Sequence, residues 1–489
     1  MAESLSGETH PIVPGFFPDP TICRVGDDYY LANSSFEYFP GAPIFHSRDL
    51  VTWTQIGNIL TSRTQFRRGS QGPSTGIYGS TLRYRDDRFW FITTNISDFH
   101  AGQVIVHAED PAGPWSDPVF VAEATGIDPD LCWDEDGTCY LTWHVLDFTT
   151  GGQGIRQAPI NPETGRFLEP DYPIWQGSGM SMAEGPHLYR IGDYWYMMLA
   201  EGGTERGHCV TVARGSSPRG PFGSCPQNPI LTHRSSDHVV QNVGHADLVQ
   251  TTAGEWAAVY LGVRPRGSTP GFHVLGRETF LAGVNWTDGW PTFDESRFDI
   301  PQADTRFSDD FTEDLNPRWV VPDGEPAAVI ERDAGGGVRF HSTDDVLCAR
   351  VRDFDWHTDA EVEKAGSVGL RLDDRHWYHV QLCDGIVRAV IQIGDLRHEL
   401  GGFATQEQYV TLCVETAAPR TPPVPFGHAG PDDIVMSVVC EHGTTELARL
   451  DGRYLSTEVA AGFTGRMLTV GAPSPDGRIL RVTYRPLPA

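Results

Sequence analysis

The strongest constraint on this chain is a pattern that returns five times within its first three hundred residues. "GDDYYLANS" (26–34) is echoed by "RDDRFWFITT" (85–94), "DEDGTCYLTW" (134–143), "RIGDYWYMMLA" (190–200) and "TAGEWAAVYLG" (252–262). Each is a tight acidic or glycine turn followed by aromatic and β-branched residues, which is how a hairpin enters a buried strand. A further strand, turn and strand follow each echo, as in "IFHSRDLVTWTQIG" and "VIVHAEDPAGPWSDPVF". The unit is therefore about 50–60 residues with four short strands, the pattern of a propeller blade. Five units predict a five-bladed β-propeller over roughly residues 10–300. An irregular array of β-sandwiches is the competing architecture.

The repeat carries a positional argument. The innermost strand of each blade lines a central channel, so equivalent positions converge on one axis. Eight or nine residues before the turn lie Asp19, Asp128, Glu184 and His245; the same step in the second unit falls at Tyr78 to Ser80. Three carboxylates and a histidine thus share a register, which predicts an acid-lined pocket at one end of the channel. Asp19 stands between two prolines in "FFPDPT". Proline restricts the residue before it to extended conformations, so this carboxylate is expected to be held extended and rigid.

Crowded carboxylates separate their proton affinities, so one stays protonated near neutral pH while another stays ionised. That division of labour suits cleavage of a glycosidic bond, which needs an acid for the leaving oxygen and a base or nucleophile opposite it. Glu184 has the longer reach toward a leaving group. A metal site of Asp, Glu and His is the rival chemistry, although a tightly spaced ligand cluster is missing from the sequence.

The stretches "GFFPDPTICRVGDDYYLANSSFEYFPGAPIFHSRDLVTW", "GIDPDLCWDEDG", "AEGPHLYRIGDYWYMMLAEGG", "GHADLV" and "LGRETFL" together resemble glycoside hydrolase family 43. The likeness is to its branch of β-xylosidases and α-L-arabinofuranosidases that carry a C-terminal β-sandwich. The resemblance implies an inverting, exo-acting enzyme that releases terminal pentose from short oligosaccharides. It assigns Asp19 as general base, Glu184 as general acid, and Asp128 as the group that tunes and orients the acid. Register and resemblance select the same three residues. Arg277 and His245 match family residues that support the pocket or contact substrate. Phe36, with Tyr38 and Phe39, is expected as an aromatic wall for the sugar or as blade packing. The resemblance implies no required cofactor and leaves a structural calcium beside His245 open.

This chain also departs from the family pattern. Gly79 and Ser80 replace a common Ala-Pro, Asp130 replaces a serine, and Ile127 replaces a phenylalanine. These changes are expected in the walls of the sugar subsite, so they bear on xylose against arabinofuranose rather than on the reaction. Two other readings stand beside the first: a retaining fructosidase-like propeller hydrolase, and a non-catalytic sugar-binding propeller.

Composition narrows the partners. A formal net charge of −28 argues against nucleic acid or an anionic membrane and is compatible with an oligosaccharide. Self-association is left open. No apolar run of about 18 residues marks a membrane span, and "MAESLSGETHP" lacks a secretory pattern. Nine cysteines without a CxxC read as reduced thiols, so a cytoplasmic protein is expected.

A polar, proline-bearing stretch, "DIPQADTRFSDDF" (299–311), separates the repeats from a region of period-two strands. The expected organisation is a propeller over 1–300, a linker over 301–309 and an antiparallel β-sandwich of jelly-roll type over 310–489. "PRTPPVPFGHAGPDD" (419–433) reads as a loop, and "AGFTGRMLTVG" resembles the family's terminal strand. By the same resemblance, Phe463 is expected either at the pocket rim or in the core.

Overall fold

The computed structural model describes residues 9–70, 72–146, 153–322, 324–420 and 428–488. Five antiparallel sheets follow one another along the chain, each taking its strands in chain order. Their innermost strands are Thr21–Val25, Ile77–Arg85, Gly126–Trp133, Glu184–Ile191 and Gln241–Gln250. Each of these touches the next, and the fifth touches the first, so the sheets close into a ring. Val13 completes the closure by exchanging two backbone hydrogen bonds with Thr279 of the fifth sheet, both 3.2 Å. The architecture is the five-bladed propeller that the repeats predict.

The turns that punctuate the repeat explain its regularity. Asp86 and Asp87 sit at φ of 52° and 60°, and Gly26, Gly192 and Gly254 are also left-handed. Such turns match the twist of the strands they join. Beyond them the second strands are buried on both faces, as in "RFWFITTN" and "YWYMMLAE", because blades pack face to face.

Below the ring's upper rim the channel is filled by polar side chains. Arg83 reaches Asp130 at 2.9 Å and Asp247 at 2.8 Å. Thr21 Oγ1 and the Ile22 amide donate to Asp247 at 2.7 and 2.9 Å, the Leu188 amide donates to Asp130 at 3.0 Å, and Tyr189 OH donates to Asp247 at 2.5 Å. Donors and acceptors come from all five innermost strands, so this network ties the blades at the axis. Burial pushes the Asp247 pKa up, but Arg83 and its other partners outweigh it and hold the carboxyl well below the ordinary range. Replacing Arg83 by methionine strands two buried carboxylates and is expected to cost about 3–5 kcal/mol. Urea denaturation should show the midpoint falling at constant slope; an unchanged midpoint would contradict this role.

The chain after the ring forms two packed sheets. One joins Trp356–Glu363, Tyr409–Ala417, Asp433–Cys440, Gly443–Asp451 and Arg478–Pro486 with shorter strands; the other runs from Val346–Arg350 to Leu396–Ala404. Alternate residues point inward, as in the buried–intermediate alternation of His376–Cys383. Their shared core includes Trp356, Leu412, Val368 and Tyr378. This is the expected antiparallel sandwich. Phe307–Asp309, inside the stretch expected to be linker, already pairs with Arg478–Pro486. The last strand is Arg478–Pro486, not "RMLTVG", which pairs internally with Val346–Arg350. The expected loop at 419–433 lies largely outside the described residues.

The two regions share contacts. Val321–Pro322 pairs with Tyr38–Phe39 of the first blade. Arg350 Nε donates to the Phe16 carbonyl at 2.7 Å, and the Phe463 amide donates to Ser74 Oγ at 2.8 Å. All nine cysteines are free thiols. No helix among the described residues is long and apolar enough to cross a membrane.

Candidate active site

At the top of the channel the strands share an irregularity. The ladder skips between Ile127 and Asp130, Glu184 and His187, Gly244 and Asp247, and Ile77 and Ser80. At the first three of these skips the backbone turns left-handed: φ is 56° at Asp128, 57° at Gly185 and 49° at His245, and Asp19 takes 50° at the matching place. A bulge adds a residue, twists the strand and re-aims a side chain. Asp19 and Asp128 both precede prolines, yet both are left-handed, and Asp19 is not extended as expected. The bulge overrides the local preference, and residues held this way cost of order 1–3 kcal/mol each.

This geometry also refines the register. Gly185, not Glu184, is the counterpart of Asp19, Asp128 and His245, and Glu184 stands one residue earlier beside Ile127 in the repeat. Two residues further on lie Thr21, Asp130, His187 and Asp247, the layer held by Arg83. Asp130 therefore belongs to the buried network beneath the pocket rather than to the pocket itself.

Asp19 is 5% exposed, and each of its oxygens has a partner. Ser34 Oγ donates to Oδ2 at 2.6 Å and Arg277 to Oδ1 at 3.1 Å, with His245 Nδ1 3.5 Å from Oδ1. Burial raises its pKa, but the Arg277 charge, His245 and the Ser34 hydrogen bond together outweigh it and leave the carboxyl below its usual value. Asp128 accepts from the Gly185 amide at 3.1 Å. Burial is the largest influence on Asp128 and, with the nearby Asp19 charge, raises its pKa despite His245. Glu184 is pushed up to about 8, first by burial, then by the charges of Asp128 and Asp19, with Arg277 opposing. The Asp128 charge is the largest electrostatic influence raising Glu184. The proton belongs on Glu184, because Asp128 keeps an amide donor and faces His245.

Arg277 is anchored by Thr204 Oγ1 at 3.0 Å as well as by Asp19. Its guanidinium lies 5.6 Å from the ring centres of both Phe36 and Phe463. Phe463 stacks on Phe36 at 5.8 Å and meets Tyr78 edge-on at 6.1 Å. Phe36, Tyr38 and Phe39 are all buried, the blade packing that was the alternative to a sugar wall, whereas Tyr78 and Phe463 beside them are partly exposed. Phe463 comes from the sandwich and reaches the rim, packed against the edge of the core that holds Phe16 and Phe36. His245 is packed under Gly185, where an added Cβ would sit 3.2 Å from its ring.

Gly79, expected in a subsite wall, lies against Asp128 and His245. A Cβ there would lie 2.4 Å from Asp128 Oδ1 and 2.9 Å from the His245 ring. The absent side chain makes room for Asp128. Ser34, Thr204 and His208 were not foreseen. His208 is buried and bonds the Asn242 carbonyl at 3.0 Å, and burial lowers its pKa to about 4, so the ring is neutral near neutral pH.

A calcium beside His245 fits these residues poorly. Calcium takes six to eight oxygen ligands, whereas both Asp19 oxygens are engaged by Ser34 and Arg277, and Arg83 neutralises Asp130 and Asp247 below. Among the described residues, no group of three candidate ligands includes His245. A separate cavity of about 540 Å³, lined by His10, Arg264, Arg352 and Phe354, contains none of the three acids.

Comparison with known proteins identifies the family and the fold. The sequence profile described as "Glycosyl hydrolases family 43" matches residues 8–291. A "Xylosidase/arabinosidase" of Butyrivibrio fibrisolvens is 43% identical over 325 residues, covering 62% of this chain and 60% of that protein. A "Non-reducing end alpha-L-arabinofuranosidase" of Bacteroides ovatus is 46% identical over 288 residues, covering 58% and 52%. The matched regions thus span little more than half the length of these relatives. Among solved structures, "Bacteroides ovatus Xyloglucan PUL GH43B" superposes with a TM-score of 0.87 at 31% identity, covering 98% of this chain and 99% of the other. A "xylan beta-1,4-xylosidase from Bacillus Halodurans C-125" gives 0.86 at 26% identity, covering 98% and 99%.

Proposed function

This chain belongs to glycosyl hydrolase family 43, and from that premise we propose that it is an exo-acting, inverting glycosidase. Its substrates are short oligosaccharides ending in α-L-arabinofuranosyl or β-D-xylosyl units. The observation that carries the proposal is the opposed proton affinity of two acids in one buried site: Asp19 held ionised, Glu184 held protonated.

In this reading the protonated Glu184 carboxyl donates to the leaving glycosidic oxygen as the bond to the anomeric carbon breaks. Asp19 accepts a proton from a water that attacks the opposite face of the same carbon. Arg277, Ser34 and His245 fix the Asp19 carboxylate against rotation, so the water it activates meets one trajectory. Asp128 turns its negative field on Glu184 and favours the protonated form until the acid has acted. The side chains present suffice for this chemistry, and we propose no cofactor. Phe463 and Tyr78 wall the sugar, which fits a pocket for a terminal residue. The Bacteroides ovatus and Butyrivibrio fibrisolvens relatives are named for one or both of the proposed pentoses, which supports the glycone class.

Side-by-side hydrolysis of 4-nitrophenyl α-L-arabinofuranoside and 4-nitrophenyl β-D-xylopyranoside tests the proposal. Turnover of at least one is expected, with a bell-shaped profile of kcat/KM. Activity should fall above pH about 8 as Glu184 loses its proton. It should persist on the acid side until Asp19 is protonated, below the ordinary carboxylate range. No turnover of either substrate across that range would sink the glycone assignment.

A further inference from the structure

Away from the carboxylate pocket, His233, His238 and Glu295 each offer one ligand atom, and the three atoms lie within 4.8 Å of one another. The two histidines belong to the segment that leads into the innermost strand of the fifth blade, Gln241–Gln250, and Glu295 directly follows the blade's outermost strand, Trp290–Asp294. We propose that these three residues form a divalent transition-metal site, zinc by ligand chemistry, that staples the entry of the fifth blade to its outer edge.

The surroundings resemble a prepared second shell. His233 Nδ1 and His238 Nδ1 lie 2.8 and 3.1 Å from the same carbonyl, that of Val240. With an ion bound, this one acceptor would hold the proton on Nδ1 of both rings and turn Nε2 to the metal, the usual role of a backbone carbonyl behind metal-bound imidazole; without it His233 Nε2 lies against the Glu295 carboxylate. The Val240 amide also lies 3.1 Å from His238 Nδ1 and competes for the opposite tautomer; a bound metal selects the first. Glu295 is oriented likewise: Tyr260 OH, itself buried, donates to Oε1 at 2.7 Å, leaving Oε2 facing His233 Nε2 at 2.9 Å. Ligand atoms on a zinc tetrahedron stand about 3.3 Å apart, so a small outward shift of this pair admits the ion. The two imidazole rings lie with centres 3.8 Å apart, tilted by 35°. Two imidazoles and one carboxylate favour zinc over calcium or magnesium. His233 is buried while His238 and Glu295 are partly exposed, so an ion can enter and keep a water as its fourth ligand.

Zinc chloride titration of the full chain, tag removed and EDTA-treated, in competition with a chromophoric chelator tests the site. One equivalent should bind, and binding should weaken about 100-fold or more in His238→Ala and in Glu295→Gln. Zinc should raise the Tm of the unaltered chain and not of either variant, with circular dichroism verifying that both fold. Absence of zinc binding by the unaltered chain would overturn the proposal. So would an equivalent retained by both variants, which would place the ion elsewhere, for instance at His357, Asp359 and Cys413.

Discussion

Replacing Glu184 by glutamine is expected to lower kcat/KM on a xylo- or arabino-oligosaccharide by about 10²–10⁴-fold. The effect should depend on the leaving group. An oligosaccharide departs as a poor alkoxide and needs the proton, whereas a dinitrophenolate departs without it. The variant should therefore retain far more activity on a dinitrophenyl glycoside than on the natural linkage, and the alkaline limb near pH 8 should disappear with the group that creates it. Glutamine keeps the shape and hydrogen-bonding reach of the acid, so the loss reads proton donation rather than packing. An equal loss on both substrates would assign the acid to another residue.

Asp19→Asn should be as damaging, with a different signature. An amide keeps an oxygen to accept from Arg277 or Ser34 but cannot accept the proton of the attacking water. Activity should fall by about 10²–10⁴-fold whatever the leaving group. The acid limb of the pH profile should vanish while the alkaline limb stays. The stability of this variant is a useful companion measurement. Asp19 is held at positive φ beside a buried arginine, so neutralising it also leaves Arg277 without its carboxylate. A folded protein without activity is the expected result; near-normal turnover would refute the assignment.

The propeller was legible because its cause is local. Acidic and glycine turns recur at a regular spacing, each followed by a strand apolar on both faces, and five such units can bury those faces only by closing on one another. The convergence of Asp19, Asp128 and His245 follows from that closure, so three of the pocket's polar groups could be placed by counting. Glu184 was found by the same count but at the wrong station by one residue. A bulge changes which residue faces the axis without changing the sequence pattern around it. The same bulges hid the left-handed backbone at Asp19 and Asp128, since a following proline argues for the opposite conformation. Ser34, Thr204 and His208 lie on other segments of the ring and carry no mark in sequence. Gly79 reads as an ordinary strand glycine until a Cβ is built against Asp128. Phe36 was readable either as a sugar wall or as blade packing, and at 1% exposed it is packing; Phe463, expected at the rim or in the core, stacks on it from the other half of the chain.

Arg83 shows how the fold and the site divide the acids. Five buried or largely buried carboxylates stand near the axis, and the arginine takes two of them, Asp130 and Asp247, out of the chemistry. That leaves Asp19, Asp128 and Glu184 to share the upper pocket with Arg277, a balance of charge that keeps one proton in the site near neutral pH.

The central claim is that Asp19 activates a water for a single displacement while Glu184 protonates the departing oxygen. Proton NMR of the first sugar released from an aryl β-D-xylopyranoside or α-L-arabinofuranoside, recorded before mutarotation, tests it most directly. The account predicts the inverted anomer as the first product. The retained anomer would mean a covalent intermediate on a nucleophilic carboxylate and would contradict it.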